Sequence, residues 1–173
     1  GLACGSFATV LAARVPEGRG VVKGRSACPG CSSEITWRDN IPVVSWLVLR
    51  GRCRHCGERI SWSYPATEIA VALLWLAVYA AYGLTWTAAV LAFAAVVSVA
   101  LVVIDIRHHR LPHRIVIPSY GVAVTLMIAA WIAGERETWW SAAIGLVTLG
   151  GFYGLLWLVY PKGMGFGDVT TAG

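Results

Sequence analysis

Residues 85–106 read TWTAAVLAFAAVVSVALVVIDI, 22 residues whose only ionisable side chain is Asp105, one place from the end. A helix of that length is about 33 Å long at 1.5 Å per residue, enough to cross the ~30 Å hydrocarbon core of a bilayer. The stretches 65–84, 115–133 and 139–160 are similarly apolar and similar in length, so each predicts a further spanning helix. Residues 1–13 are apolar but shorter. They predict the tail of a truncated first transmembrane helix rather than a signal peptide, since no basic region precedes them and no small-residue cleavage pattern follows.

Composition agrees with this reading. Of 173 residues, 57% are hydrophobic and 13% charged, and mean hydropathy is +0.66. A soluble domain carries about 25% charged residues, so a water-covered globule is excluded, as is intrinsic disorder. The net charge of +5 is unevenly placed, with nine of the 14 basic residues falling between Arg14 and Arg59. A basic stretch can bind nucleic acid. One bounded by apolar runs reads instead as a loop retained on the positive, cytoplasmic side of a membrane, so the expected partner is the lipid bilayer and not a nucleic acid. Threading the chain outward and back from that loop puts Arg107, Arg110 and Arg114 on the same side and Glu135-Arg136-Glu137 on the other. The expected fold is therefore an all-α multi-pass membrane protein with a small cytoplasmic zinc-ribbon-like insert between its first and second helices. Its parts are 1–13, the insert 14–64, and a membrane region 65–173 of four full helices followed by a glycine-rich segment.

The insert contains Cys28-Pro29-Gly30-Cys31 and Cys53-Arg54-His55-Cys56. Each CxxC turn points two thiolates at one centre, and two such turns complete a tetrahedral shell for structural zinc. The 21 residues between the pairs slightly exceed the usual spacing. Disulfides are the competing reading, disfavoured in a reducing cytoplasm. Ile35, Trp37, Ile41, Val43, Val44, Trp46, Leu47 and Val48 are expected to form a thin apolar core that metal binding stabilises. Cys4, alone in an apolar stretch, reads as a buried structural thiol.

Asp105 closes one apolar run, and Asp168 follows another in Gly163-Met164-Gly165-Phe166-Gly167-Asp168. An ionisable group at membrane depth points to function, although either aspartate alone could simply balance Arg107 or Lys162. Threaded as above, both fall at one membrane face. Two carboxylates sharing a proton can perform acid–base hydrolysis, because like charges in close approach push their titrations apart. Other hydrolytic chemistries find no support: no HExxH occurs, and Ser6 has no GxSxG frame. A zinc-bearing membrane scaffold or an ion-coupled transporter is the alternative, but a transporter would place carboxylates at the midplane of repeated halves.

Together these residues resemble the prepilin peptidases, or type IV leader peptidases, of the GxGD aspartyl protease group. Gly1-Leu2-Ala3-Cys4-Gly5-Ser6-Phe7 through Arg14-Val15-Pro16 resembles the family's opening motif. The CxxC pairs resemble its cytoplasmic zinc segment, and Tyr64-Pro65-Ala66-Thr67-Glu68 the start of its next helix. Ile104-Asp105 with Arg110-Leu111-Pro112, and Gly165-Phe166-Gly167-Asp168, resemble its two aspartate motifs. The chain departs from the family pattern at Thr9, His113 and Thr170-Thr171. The resemblance implies an endopeptidase of the bacterial inner membrane, its active site facing the cytoplasm, that removes the basic leader of type IV prepilin or pseudopilin precursors. Asp105 and Asp168 would be the catalytic pair and Cys28, Cys31, Cys53 and Cys56 the ligands of Zn2+. The resemblance also implies N-methylation of the new amino terminus from S-adenosylmethionine in many members. It gives Glu68 no role.

Overall fold

The computed structural model describes residues 1–18, 20–21, 26–109, 112–145 and 147–148. Among them the chain is helical: α1 (Leu2–Arg14), a 3-10 turn (Trp37–Asn40), α2 (Val44–Val48), α3 (Ser63–Tyr82), α4 (Trp86–His108), α5 (His113–Ile132) and α6 (Glu137–Gly145). The described residues contain no strand, only the isolated antiparallel bridges Ala27 to Glu34 and Arg52 to Arg59. α3, α4 and α5 are long and apolar enough to cross a membrane. They lie within a few residues of the stretches 65–84, 85–106 and 115–133. The helix expected over 139–160 starts at Glu137 and runs to Gly145, and of the remainder of that stretch all but 147–148 lies outside the described residues.

Local sequence sets the helix ends. Thr85 caps α4, its hydroxyl oxygen accepting the Ala88 N–H at 3.1 Å. At the other end His109 takes a left-handed conformation and donates its N–H to the Asp105 carbonyl at 2.8 Å, after which Pro112 starts α5. Glu135 ties the far corner together: its carboxylate accepts the Trp86 and Thr87 N–H groups at 3.0 and 2.8 Å and the Thr87 hydroxyl at 2.6 Å. These bonds hold its carboxyl below the usual carboxylate range.

Two glycines bring α1 onto α3. A Cβ on Gly5 would stand 2.6 Å from the Glu68 Cα, and one on Gly1 would stand 2.8 Å from the Ala72 Cα. The backbones therefore meet without intervening side chains, as small residues spaced four apart allow in membranes. Ala8, Val71, Val96 and Ala100 bury one core between α1, α3 and α4, with Cys4 packed against it; Ala12, Ile104 and Ile115 bury another where α5 joins. Most of the remaining apolar surface faces outward: Leu73, Leu76, Tyr79, Val102 and Ile117 are exposed. Outward apolar faces suit a lipid solvent.

Candidate functional site

The insert consists of two matching turns. In the first, Cys28 donates its N–H to Ser33 O and accepts from Ser32 N–H; in the second, Cys53 donates to Glu58 O and accepts from Gly57 N–H. Each turn passes through a left-handed residue just after its second cysteine, Ser32 at φ 55° and Gly57 at φ 72°. The folding-back sends four sulfurs to one point, with the Sγ atoms of Cys28, Cys31, Cys53 and Cys56 all within 4.8 Å of one another. Between the turns, Cys28 to Cys56 is 3.7 Å and Cys31 to Cys53 is 4.0 Å.

These separations are too long for disulfides, whose sulfurs lie about 2.05 Å apart, and the cysteines are free. A tetrahedral zinc–thiolate centre with Zn–S near 2.3 Å has sulfur–sulfur edges of about 3.8 Å, so the four residues fit that ion. The electrostatics agree. Hydrogen bonds from the Ser33 hydroxyl and backbone lower the Cys31 thiol to about 6. At Cys56 the Glu58 backbone N–H favours the thiolate, but desolvation and the other three cysteines outweigh it and push the group up to about 12. Four thiolates repel one another in one cluster unless a cation joins them. Beside the cluster Arg54 donates Nε–H and Nη2–H to Asp39 at 2.6–3.1 Å, fixing the second turn to the 3-10 turn.

The thin core expected here does not form. Trp37, Ile41, Val44, Leu47 and Val48 are exposed, while Ile35, Val43 and Trp46 are half-buried. α2 turns its polar side inward: buried Ser45 donates its hydroxyl to Arg38 O at 2.8 Å and accepts Ile41 N–H at 2.9 Å. Trp46 is held by its indole N–H on Ile60 O at 3.1 Å and by Gly51 against its ring.

Glu68 joins insert and bundle. Its side chain is buried, and its carboxylate accepts the Val43 backbone N–H at 2.7 Å. Val43 has φ +62°, a conformation that costs a β-branched residue about 1–3 kcal/mol and persists only where its surroundings fix it. The sequence motif placed Glu68 at a helix start but gave no hint of this contact. A cavity of about 950 Å³ opens between the insert and the helix ends, its wall including Thr9, Arg14, Cys28, Glu68, Arg107 and His108.

Asp105 lies in the last turn of α4, and its side chain is exposed. Two residues on in the same turn, Arg107 donates to the Ser63 hydroxyl at the start of α3, and its guanidinium lies 5.9 Å from the centre of the Tyr64 ring. Asp105 thus stands at the end of the bundle that carries the four cysteines. Asp168 lies outside the described residues.

Two families of sequences match the chain. Residues 1–82 match the bacterial peptidase A24 N-terminal domain and residues 91–173 the type IV leader peptidase family. Three curated relatives are each named prepilin leader peptidase/N-methyltransferase. The protein of Myxococcus xanthus is 36% identical over 97% of this chain and 50% of its own length. That of Bacillus subtilis is 31% identical over 98% of the chain and 66% of its own length. That of Klebsiella pneumoniae is 33% identical over 97% of the chain and 77% of its own length. The chain spans about half the length of several curated relatives it matches. No solved structure matches.

Proposed function

We propose a reaction for this chain on one premise: the chain belongs to the type IV leader peptidase family. The reaction is hydrolysis of the peptide bond between the basic leader and the apolar helix of a type IV prepilin or pseudopilin precursor. Asp105 and Asp168 carry it. One ionised carboxylate takes a proton from water as the water attacks the scissile carbonyl. The other, protonated, donates a hydrogen bond to the carbonyl oxygen and then a proton to the leaving nitrogen. No acyl-enzyme forms.

The observation that supports this reading best is the position of Asp105, exposed in the last helical turn of an apolar span and at the end that carries the cysteine insert. A precursor whose apolar helix lies in the bilayer beside α3 and α4 presents its leader junction at that level. The basic residues at this end, Arg14, Arg107 and Arg114 among them, favour the cytoplasmic side of a bacterial inner membrane. In this reading 1–13 begins the membrane part, 14–64 is the insert and 65–173 is the peptidase region. Zinc on Cys28, Cys31, Cys53 and Cys56 would act structurally, since four protein ligands leave no open position.

The second activity in the relatives' names, N-methylation, would draw on S-adenosylmethionine. The cavity under the insert is within the ~300–1,000 Å³ range of small-molecule sites and has room for such a donor, with no residue assigned to it. To test the main reading, the chain is reconstituted in vesicles with a precursor bearing a basic leader and an apolar helix. Mass spectrometry should show one cut at the leader boundary; an intact precursor contradicts the proposal.

A further inference from the structure

We propose that α2 and its flanking turns lie in the headgroup layer of the bilayer, with Val44, Leu47 and Val48 turned into lipid, so that the cysteine insert is a membrane-bound module. This rests on α3 spanning the membrane and not on the peptidase reading.

Depth is the first argument. Val43, the residue before α2, is bonded to Glu68. Glu68 is the sixth of the 20 residues of α3, about 7.5 Å along the axis from Ser63. A bilayer is ~40–45 Å thick with a ~30 Å hydrocarbon core, which leaves about 6 Å of polar layer on each side. On the apolar stretch 65–84, 20 residues or about 30 Å long, Glu68 lies about 4.5 Å past the start, near the boundary between the polar layer and the hydrocarbon. α2 starts at the same level.

Exposure is the second argument. Val44 is 50% exposed, Leu47 62% and Val48 70%, on a helix whose buried residue is Ser45. Nothing in the described chain covers these three, and water is a poor solvent for them. Charge complementarity is the third. Arg38, Arg50, Arg52 and Arg59 are exposed on the same insert, as are Trp37 and Trp62. Arginines attract anionic headgroups, and tryptophans settle at the same depth; a short apolar face on a segment that carries both is the composition of an interfacial segment. The backbone suits a shallow dip. Left-handed residues bound α2 on both sides, Val43 at φ +62° and Arg50 and Gly51 at φ +52° and +65°, so the chain enters and leaves the layer within a few residues.

The test uses the full chain in vesicles of phosphatidylglycerol and phosphatidylethanolamine. A photoreactive carbene reagent dissolved in the lipid phase should label peptide 43–49 of the unaltered chain several-fold more than peptide 26–34. Equal or weaker labelling overturns the proposal. A photoreactive benzoylphenylalanine at Leu47 or Val48 should add the mass of one phospholipid, whereas the same group at His55 should add none. A product of twice the chain mass would mean that a second copy covers the face. A cross-link to residues 149–173 would mean that the chain itself does. Either overturns the lipid assignment. Loss of leader cleavage would leave all of these readouts unchanged.

Discussion

The insert and the helical bundle are stabilised by different forces. In the bundle, Ala8, Ala12, Val71, Ala100 and Ile104 are essentially inaccessible, and α1 lies against α3 backbone to backbone at Gly1 and Gly5. Among the described residues of the insert the buried side chains are those of Cys28 and Ser45, and Trp37, Ile41, Val44, Leu47 and Val48 face outward. The bundle therefore derives its order from close packing within an apolar solvent. The insert derives it from four sulfurs, the Arg54–Asp39 pair and the Glu68–Val43 bond. Within one chain of 173 residues, a segment with almost no core among its described residues is tied together by a four-cysteine cluster that could hold a metal ion and by one buried carboxylate.

Metal removal should separate the two regions most sharply. Structural zinc contributes ~10–16 kcal/mol in small zinc-finger peptides, far more than the insert's few buried groups supply. Chelation, or Cys28→Ser, should open residues 26–60 to protease while circular dichroism still reports helical spans. Loss of both regions in one transition would break the contrast.

The bundle can be tested at its tightest contact. Gly5→Ala places a Cβ 2.6 Å from the Glu68 backbone, and overpacking of this kind costs about 1–3 kcal/mol. Gly121→Ala, where a Cβ meets nothing within 4 Å, is the matched control. Thermal unfolding in detergent should show a lower Tm for the first variant and an unchanged or higher Tm for the second. Equal behaviour would mean that the α1–α3 approach is not limiting.

The joint between the regions comes next. Glu68→Ala removes the acceptor of the Val43 N–H. Leaving a buried donor unsatisfied costs about 1–3 kcal/mol, and the strained Val43 backbone should relax. Hydrogen exchange at residues 41–49 should accelerate while exchange in α4 and α5 stays constant. Uniform acceleration would place Glu68 in the bundle core instead.

The smallest effect is at the opposite end. Glu135 has a carboxyl held low by Thr87 and Trp86, so its contribution is fully present above the ordinary carboxylate pKa of about 4.3 and is lost as pH falls through its lower folded value. Exchange at the Trp86 and Thr87 amides, corrected for intrinsic rate, should rise below about pH 4. Glu135→Gln should abolish that pH dependence, and a dependence that persists would assign it to another group.

Much of this was legible in the sequence, because lipid imposes a simple length rule. The run ending in Asp105 could only be a span, and the two CxxC turns could only bring their sulfurs to one centre if both folded alike. Contacts that join distant parts of the chain were not legible. Nothing local to Glu68 announces Val43, 25 positions away, as its partner. The close approach of α1 to α3 at Gly1 and Gly5 likewise needed coordinates. The apolar residues of α2 read as a core in the sequence, but Ser45 takes the inward position through its bonds to Arg38 and Ile41 and leaves Val44, Leu47 and Val48 exposed. Asp168 lies outside the described residues, so its pairing with Asp105 stands as proposed.

Leader cleavage by the single variants Asp105→Asn and Asp168→Asn bears most directly on the central claim. Each should lower the cleavage rate by roughly 10²–10⁴-fold or more, the scale of general acid–base catalysis, while membrane insertion and metal content match the parent chain. Cleavage at the parental rate in both would contradict the two-aspartate account.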